Sequence, residues 1–350
     1  MGTFRCFIEN KFGEPTFPYI ENFTKPANLI GATGFEPYKI VVDRAERMYV
    51  VVESGREGML ELNADGSFSR YYGTNPPDVN LIDFFWRQFM SDIQLEQVDR
   101  IYAPPFSGIA IDKDGFKYAV TNSDDSNQMV YRFNSSGTDV LREMGNTPPI
   151  GDVTSFTDEG LQRSTFVSIA VNDFGTYAIL DETKGRVFVY NFDGELLFAF
   201  GGLGEETGQF NTPSGIAWDG DKLLVTDIEY KTVTVFKPTD FGEKVLRATE
   251  AYYNGNFALA GTIWEEVVVL NSNYEIAYVG IGKKYLLEKE YKKAMDYFEL
   301  GYSRNYHSMA FEEYRNQQLE ENFLLFTTPI LFLMGYVIYT EIRYSRKLGE

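Results

Sequence analysis

The chain has 350 residues and a formal net charge of −19, enough length for more than one module and too little basic surface for the phosphate contacts that nucleic acid requires. Cys6 is the only cysteine and His307 the only histidine, which removes disulfide frameworks, Cys/His zinc clusters and Ser-His-Asp hydrolase chemistry from consideration. The first residues, Met-Gly-Thr-Phe-Arg-Cys, read as neither a secretory signal nor a myristoylation motif.

Residues 1–36 read as one outer β-strand at 2–8 and a linker containing Pro15, Pro18 and Pro26. The strand GTFRCFI is similar to GSFSRYY at 66–72 and GELLFAF at 194–200. Two placements compete: beside the sheet that begins at Pro37, or paired with residues 232–236 so as to close a ring. The first is preferred, and it makes the chain an open part of a larger ring.

A full repeat runs from Pro37 to Gly73 and recurs at 105–145 and 164–201, with a three-stranded copy at 213–236. Tyr49, Tyr118, Tyr177 and Leu223 open the second strand of each copy, and Glu53, Asn122, Asp181 and Asp227 each follow four residues later. The turns at 63–66, 134–137 and 191–194 each begin with Asn and end with Gly, residues that close a turn through the side chain and supply positive φ. Each full repeat is therefore expected to form a four-stranded sheet, and radial stacking of such sheets gives a propeller. Gly208, Phe210, Pro213 and Val225-Thr226-Asp227 resemble the NHL repeat of β-propellers.

Glu53, Asn122, Asp181 and Asp227 are the candidate metal ligands, because they line up at one end of the sheets. The competing reading makes each a cap for the loop after its strand. Asp112-Lys113-Asp114-Gly115 echoes a calcium loop but lacks the later ligands, and is read as a hairpin turn. Residues 78–98 insert between the first two repeats, with Leu81, Ile82, Phe85, Trp86 and Phe89 at helical spacing. Phe84, Trp86 and Phe89 are the candidates there for partner or sugar binding; packing of the helix on the propeller edge is the rival reading.

After Phe236 the apolar period lengthens. Phe257, Ala260 and Trp264 recur 34 residues later as Tyr291, Ala294 and Phe298, the period of the tetratricopeptide repeat. The second copy also resembles that family at Gly282, while the first departs from it at Arg247-Ala248. Residues 37–242 thus form the β unit, 243–305 two helical hairpins and 306–322 a connecting helix. Residues 323–340 contain no charge and read as a single membrane span, followed by a basic tail at 341–350. Arg343, Arg346 and Lys347 favour a cytoplasmic tail with the β unit outside; the rival topology is a tail-anchored chain with the β unit in the cytosol.

The order of elements, with Asp83-x-x-Trp86, Gly201-Gly202-Leu203-Gly204, residues 278–282 and Ala294-Met295-x-Tyr297-Phe298, resembles a family of bacterial membrane proteins. That resemblance implies a six-bladed NHL propeller, a Yip-type membrane domain beyond the span, and genes beside sugar ABC transporters. It implies a non-enzymatic binding or scaffold role with a protein or glycan partner and no cofactor. The rival is a metal-dependent propeller enzyme of the gluconolactonase or lyase type.

Overall fold

The computed structural model describes residues 25–26, 29, 35–53, 58–73, 105–122, 128–145, 147–152, 155–157 and 160–348. The strand at 2–8 and the insertion at 78–98, with Phe84, Trp86 and Phe89, lie outside the described residues. The chain divides into two compact units, Met1–Glu243 and Lys244–Glu350.

Among the described residues the first unit holds four antiparallel meander sheets and one short hairpin. The first sheet holds β1 (Pro37–Val42), β2 (Met48–Val52), β3 (Met59–Leu62) and β4 (Phe68–Tyr72). The second has β5 (Phe106–Ile111), β6 (Lys117–Thr121) and β7 (Val130–Phe133). A short hairpin of β8 (Ser155–Thr157) and β9 (Gly160–Gln162), absent from the sequence reading, precedes the third sheet. That sheet comprises β10 (Phe166–Val171), β11 (Tyr177–Asp181), β12 (Arg186–Tyr190) and β13 (Leu196–Gly201), and the fourth β14 (Pro213–Asp219), β15 (Lys222–Asp227) and β16 (Thr232–Phe236).

Asx turns set the strand ends. Oδ1 of Asp43 accepts the N–H groups of Ala45 and Arg47, that of Asp112 those of Asp114 and Phe116, and that of Asn172 those of Phe174 and Thr176. The loop at 112–115 is thus a hairpin turn. The outer turns use Asn134 and Asn191 in the same way. Every innermost strand also carries a bulge at its start, skipping one residue at Tyr38, Ser107, Val167 and Ser214. A bulge re-aims the side chain it releases: the Tyr38 hydroxyl donates to the Phe106 carbonyl, and the Ser107 hydroxyl to that of Phe166.

Period-two alternation sorts side chains between neighbouring sheets. Tyr49, Val51, Met59 and Tyr72 face the second sheet and meet Phe106, Ala119, Tyr131 and Phe133. Tyr118 and Val120 point the other way and join Phe166, Tyr177, Ile179, Phe188 and Tyr190. The first strands pack so closely that a Cβ on Gly108 would lie 3.0 Å from Ser168 Cα. These relations are propeller-like: each sheet lies beside the next through its innermost strand.

One expectation fails. The second repeat forms no fourth strand among its described residues. Instead the Asp139 carboxylate accepts the N–H groups of Arg132 and Leu141, replacing the backbone ladder after a single bridge between Phe133 and Asp139.

The second unit is helical: α1 (Asp240–Tyr253), α2 (Phe257–Leu270), α3 (Glu275–Leu287), α4 (Tyr291–Leu300), α5 (Arg304–Glu321) and α6 (Phe323–Leu348). Helix α1 starts three residues before the expected boundary at 243, because Thr239 accepts the N–H of Gly242 through its hydroxyl and that of Glu243 through its carbonyl. It forms despite Arg247-Ala248, since Ala248 is itself small and fully buried. Ala260, Trp264, Ala294 and Phe298 are buried, Phe257 and Tyr291 half-buried. A Cβ on Gly280 would lie 2.2 Å from the Trp264 ring, and one on Gly282 2.6 Å from Phe298. Helix α6 runs to Leu348, so residues 341–348 continue the helix instead of forming a separate tail. Pro329 sits within it, and Thr327 and Thr328 donate their hydroxyls to the carbonyls of Phe323 and Leu324.

Ala294 has no exposed surface, so Ala294→Trp should overpack the helix contact and lower stability by about 1–3 kcal/mol. Urea unfolding followed by helical circular dichroism measures it; an unshifted midpoint would show that the helices are not in tight contact there.

Candidate functional site

The four candidate ligands separate by role. Glu53 and Asn122 are exposed. Asp181 is fully buried: Oδ2 accepts the Ser164 hydroxyl at 2.6 Å, and Oδ1 accepts the backbone N–H groups of Thr165 and Thr183 at 3.0 Å. Asp227 accepts from the N–H groups of Asn211, Thr212 and Tyr230 at 2.7, 3.1 and 2.9 Å. Burial raises the Asp181 carboxyl above the usual range, against the pull of those hydrogen bonds. At Asp227 burial also acts upward, but the backbone donors outweigh it and the carboxyl lies below its ordinary value. Both carboxylates cap the start and end of their own sheet's connections. No group of metal-binding side chains occurs among the described residues.

A different constellation sits at the opposite end of the second strands. Asp43, Arg47, Tyr49, Glu61, Arg70 and Tyr72 of the first sheet surround Lys117 of the second. Lys117 is 1 % exposed, with Nζ 4.2 Å from the Tyr49 ring centre, 5.4 Å from that of Tyr72 and 3.8 Å from Asp43 Oδ2. Arg47 pairs with Asp43 at 2.7 Å, and Arg70 with Glu61 at 2.8 Å. Arg70 also donates 2.8 Å to the Ser135 carbonyl of the neighbouring outer turn, and the Tyr72 hydroxyl donates to the Asn134 carbonyl. A cation held over two phenol faces and beside a carboxylate recovers part of what dehydration removes.

This layer escaped the sequence reading. Lys117 occupies the position of Met48, Thr176 and Lys222 in the aligned repeats, so a lysine there carries no signal of burial by itself. The arrangement joins two sheets through side chains of both.

No family model matches the sequence, and no curated protein does. Solved structures that it is similar to include a streptogramin B lyase, at 14% identity and TM-score 0.35, covering 66% of this chain and 61% of that one. The extracellular domain of BT4673 from B. thetaiotaomicron is 12% identical with a TM-score of 0.31, covering 58% and 25%. PorZ, a surface component of the type-IX secretion system of Porphyromonas gingivalis, is 12% identical with a TM-score of 0.32, covering 66% and 36%. These neighbours are propeller-like proteins. The chain spans about three fifths of the length of the streptogramin B lyase it matches.

The buried phenols of this layer and of the neighbouring boundary between the second and third sheets set an alkaline limit to stability. Burial raises the phenols of Tyr49, Tyr72, Tyr177 and Tyr190 above their unfolded value near 10. Between pH about 10 and the folded values the unfolded chain releases protons that the folded chain keeps, so stability falls as pH rises. Burial lowers Lys117 below 10.5, which has the opposite sign: its penalty is full at lower pH and is relieved as pH climbs to 10.5. Denaturant midpoints taken across this range should fall above pH 10, together with the appearance of tyrosinate absorbance. Lys117→Met should steepen that fall; a variant with the wild-type profile would show that Lys117 is not desolvated.

Proposed function

We propose that the chain is a non-enzymatic, membrane-anchored binding or scaffold protein. Its β unit, as part of a six-bladed NHL-type ring, and its two TPR-like hairpins present surfaces to a protein or glycan partner. The β unit lies outside the membrane with the C-terminal end cytoplasmic, in an accessory role to a sugar ABC transporter.

The observation that carries this reading is the uncharged stretch 323–340 of α6, an 18-residue window with a mean hydropathy of 1.8. At 1.5 Å per residue it extends about 27 Å, close to a bilayer core of about 30 Å and within the lower range of spanning helices. Leu324, Leu331, Phe332, Leu333 and Tyr336 are all at least 63% exposed, a surface that water disfavours and acyl chains accept. Arg343, Arg346 and Lys347 at one end and Glu320 and Glu321 at the other support the orientation. The helical unit also exposes Val269, Leu300, Tyr302 and Phe311, apolar side chains suited to a docking face. Use of Asp181 and Asp227 as backbone caps weighs against the metal-enzyme alternative, because a metal would have to displace those donors.

Full-length protein should remain in the membrane pellet through alkaline carbonate washing, and protease added to spheroplasts should digest the β unit. Release by carbonate would overturn the anchor, and full protection of the β unit would reverse the orientation. Elemental analysis should find no stoichiometric divalent ion; one that EDTA removes would favour the enzyme.

A further inference from the structure

The short connection between α4 and α5 ends one helix and opens the next. Tyr302 stands at φ 51°, and the turn it makes lets the N–H groups of Gly301, Tyr302 and Ser303 donate to the carbonyls of Tyr297, Glu299 and Phe298 at 3.0, 3.1 and 2.9 Å. Those carbonyls at the end of α4 are thereby engaged. The first donors of α5 are not: among the described residues the N–H groups of Arg304 and Asn305 meet no acceptor, since the opening turn of a helix has no internal partner for its amides.

A cavity of about 440 Å³ opens at this end of α5. Ser303 lines it and is 5% exposed, yet its hydroxyl does not cap the helix and has no other hydrogen-bond partner among the described residues. A buried hydroxyl left in that state costs stability unless something in the cavity bonds to it. Arg304, His307 and Ser308 line the same space. Arg304 is exposed and has no ion-pair partner among the described residues, and His307 is the only histidine of the chain. Phe298, fully buried with its ring 5.5 Å from that of Tyr306, supplies an apolar wall. Glu299, an exposed side chain, is the one carboxylate on the lining.

We propose that this cavity binds a phosphate-type oxyanion, held by the Ser303 hydroxyl, the open N–H groups of α5 and the Arg304 guanidinium, with His307 and Ser308 beside it. The donor set selects that ligand. Hydroxyls, backbone amides and a guanidinium offer many donors in a small volume, which calls for a group with several acceptor oxygens. The start of an 18-residue helix adds its positive dipole end. A metal ion would find one carboxylate and one imidazole, too few ligands, next to a guanidinium. The net charge of −19 repels anions from the chain as a whole, so an anion that binds does so through contacts of this local kind. Glu299 opposes the ligand, and solvent screens it. The site depends neither on the membrane anchor nor on the six-bladed ring, so either can fail without the other.

Because the chain has a single histidine, the ring proton resonance of His307 reports on the cavity without further assignment. Full-length, tag-free protein in detergent is titrated with inorganic phosphate, with acetate and with chloride at constant pH and ionic strength. Phosphate should shift the His307 resonance saturably and chloride should not; saturation by acetate as well, or by acetate alone, supports the oxyanion site and names a carboxylate as a source. Arg304→Gln and Ser303→Ala should each weaken binding roughly tenfold or more, as loss of a hydrogen bond to a charged group does, whereas Glu299→Gln should tighten it. Arg304 and Glu299 are exposed, so their variants read the site and not the fold. A shift that is linear and alike for all three salts overturns the proposal, as does an affinity that Arg304→Gln leaves unchanged.

Discussion

The first unit depends on one constraint: the second strand of a sheet has to be covered on both faces. Residues of β2, β6 and β11 are buried without interruption, although side chains on a strand alternate between faces. A single sheet cannot satisfy such a strand, so each sheet needs a neighbour on either side, and a meander of four strands repeated around a common axis supplies them. The fourth sheet marks where that requirement relaxes. In β15 burial alternates, with Leu223, Val225 and Asp227 covered and Lys222, Leu224 and Thr226 more open, and in β16 Val233 and Val235 are exposed.

Covering both faces forces polar groups into the seams, because the turn-side ends of the strands carry Asx residues that the hairpins require. The first seam resolves this with charges. Asp43 closes its own turn, pairs with Arg47 and faces Lys117, so one carboxylate serves local turn geometry and sheet-to-sheet recognition together. Buried ion pairs contribute little net stability, yet removing one partner is costly. Their effect here is to fix which sheets meet and in what register, since a slip of one residue would turn Lys117 toward the third sheet.

Much of this was legible in the sequence because it rests on local chemistry. The Asn-to-Gly turns and the tyrosine near the start of the second strand in the first three repeats translate directly into backbone geometry, and the change of apolar period after Phe236 coincides with the passage from strands to helices. What was hidden depends on competition between local options or on distant partners. Asp139 looks like an ordinary strand residue, but its carboxylate captures two backbone N–H groups and ends the ladder. The bulges at Tyr38, Ser107, Val167 and Ser214 leave no compositional mark. The capping roles of Asp181 and Asp227 were one of two readings, and only the positions of Ser164, Thr165, Asn211 and Thr212 distinguish them.

The repeats share geometry without sharing chemistry, and their cross-strand pairs show how. At the aligned position Tyr49 faces Glu61, Tyr118 faces Arg132, Tyr177 faces Tyr190 and Leu223 faces Phe236. The series passes from a carboxylate through a guanidinium and a phenol to a wholly apolar pair. In the last seam Phe236 packs 4.8 Å from Phe200 and 5.8 Å from Phe210. Backbone turns and bulges can therefore hold the sheets in one arrangement while the seam chemistry changes, which is what allows a sequence with little repeat identity to keep a repeated fold. The polar seams lie among the first three sheets. Because buried phenols make folding stability depend on pH, the seams that hold Tyr49, Tyr72, Tyr177 and Tyr190 contribute to its loss under alkaline conditions.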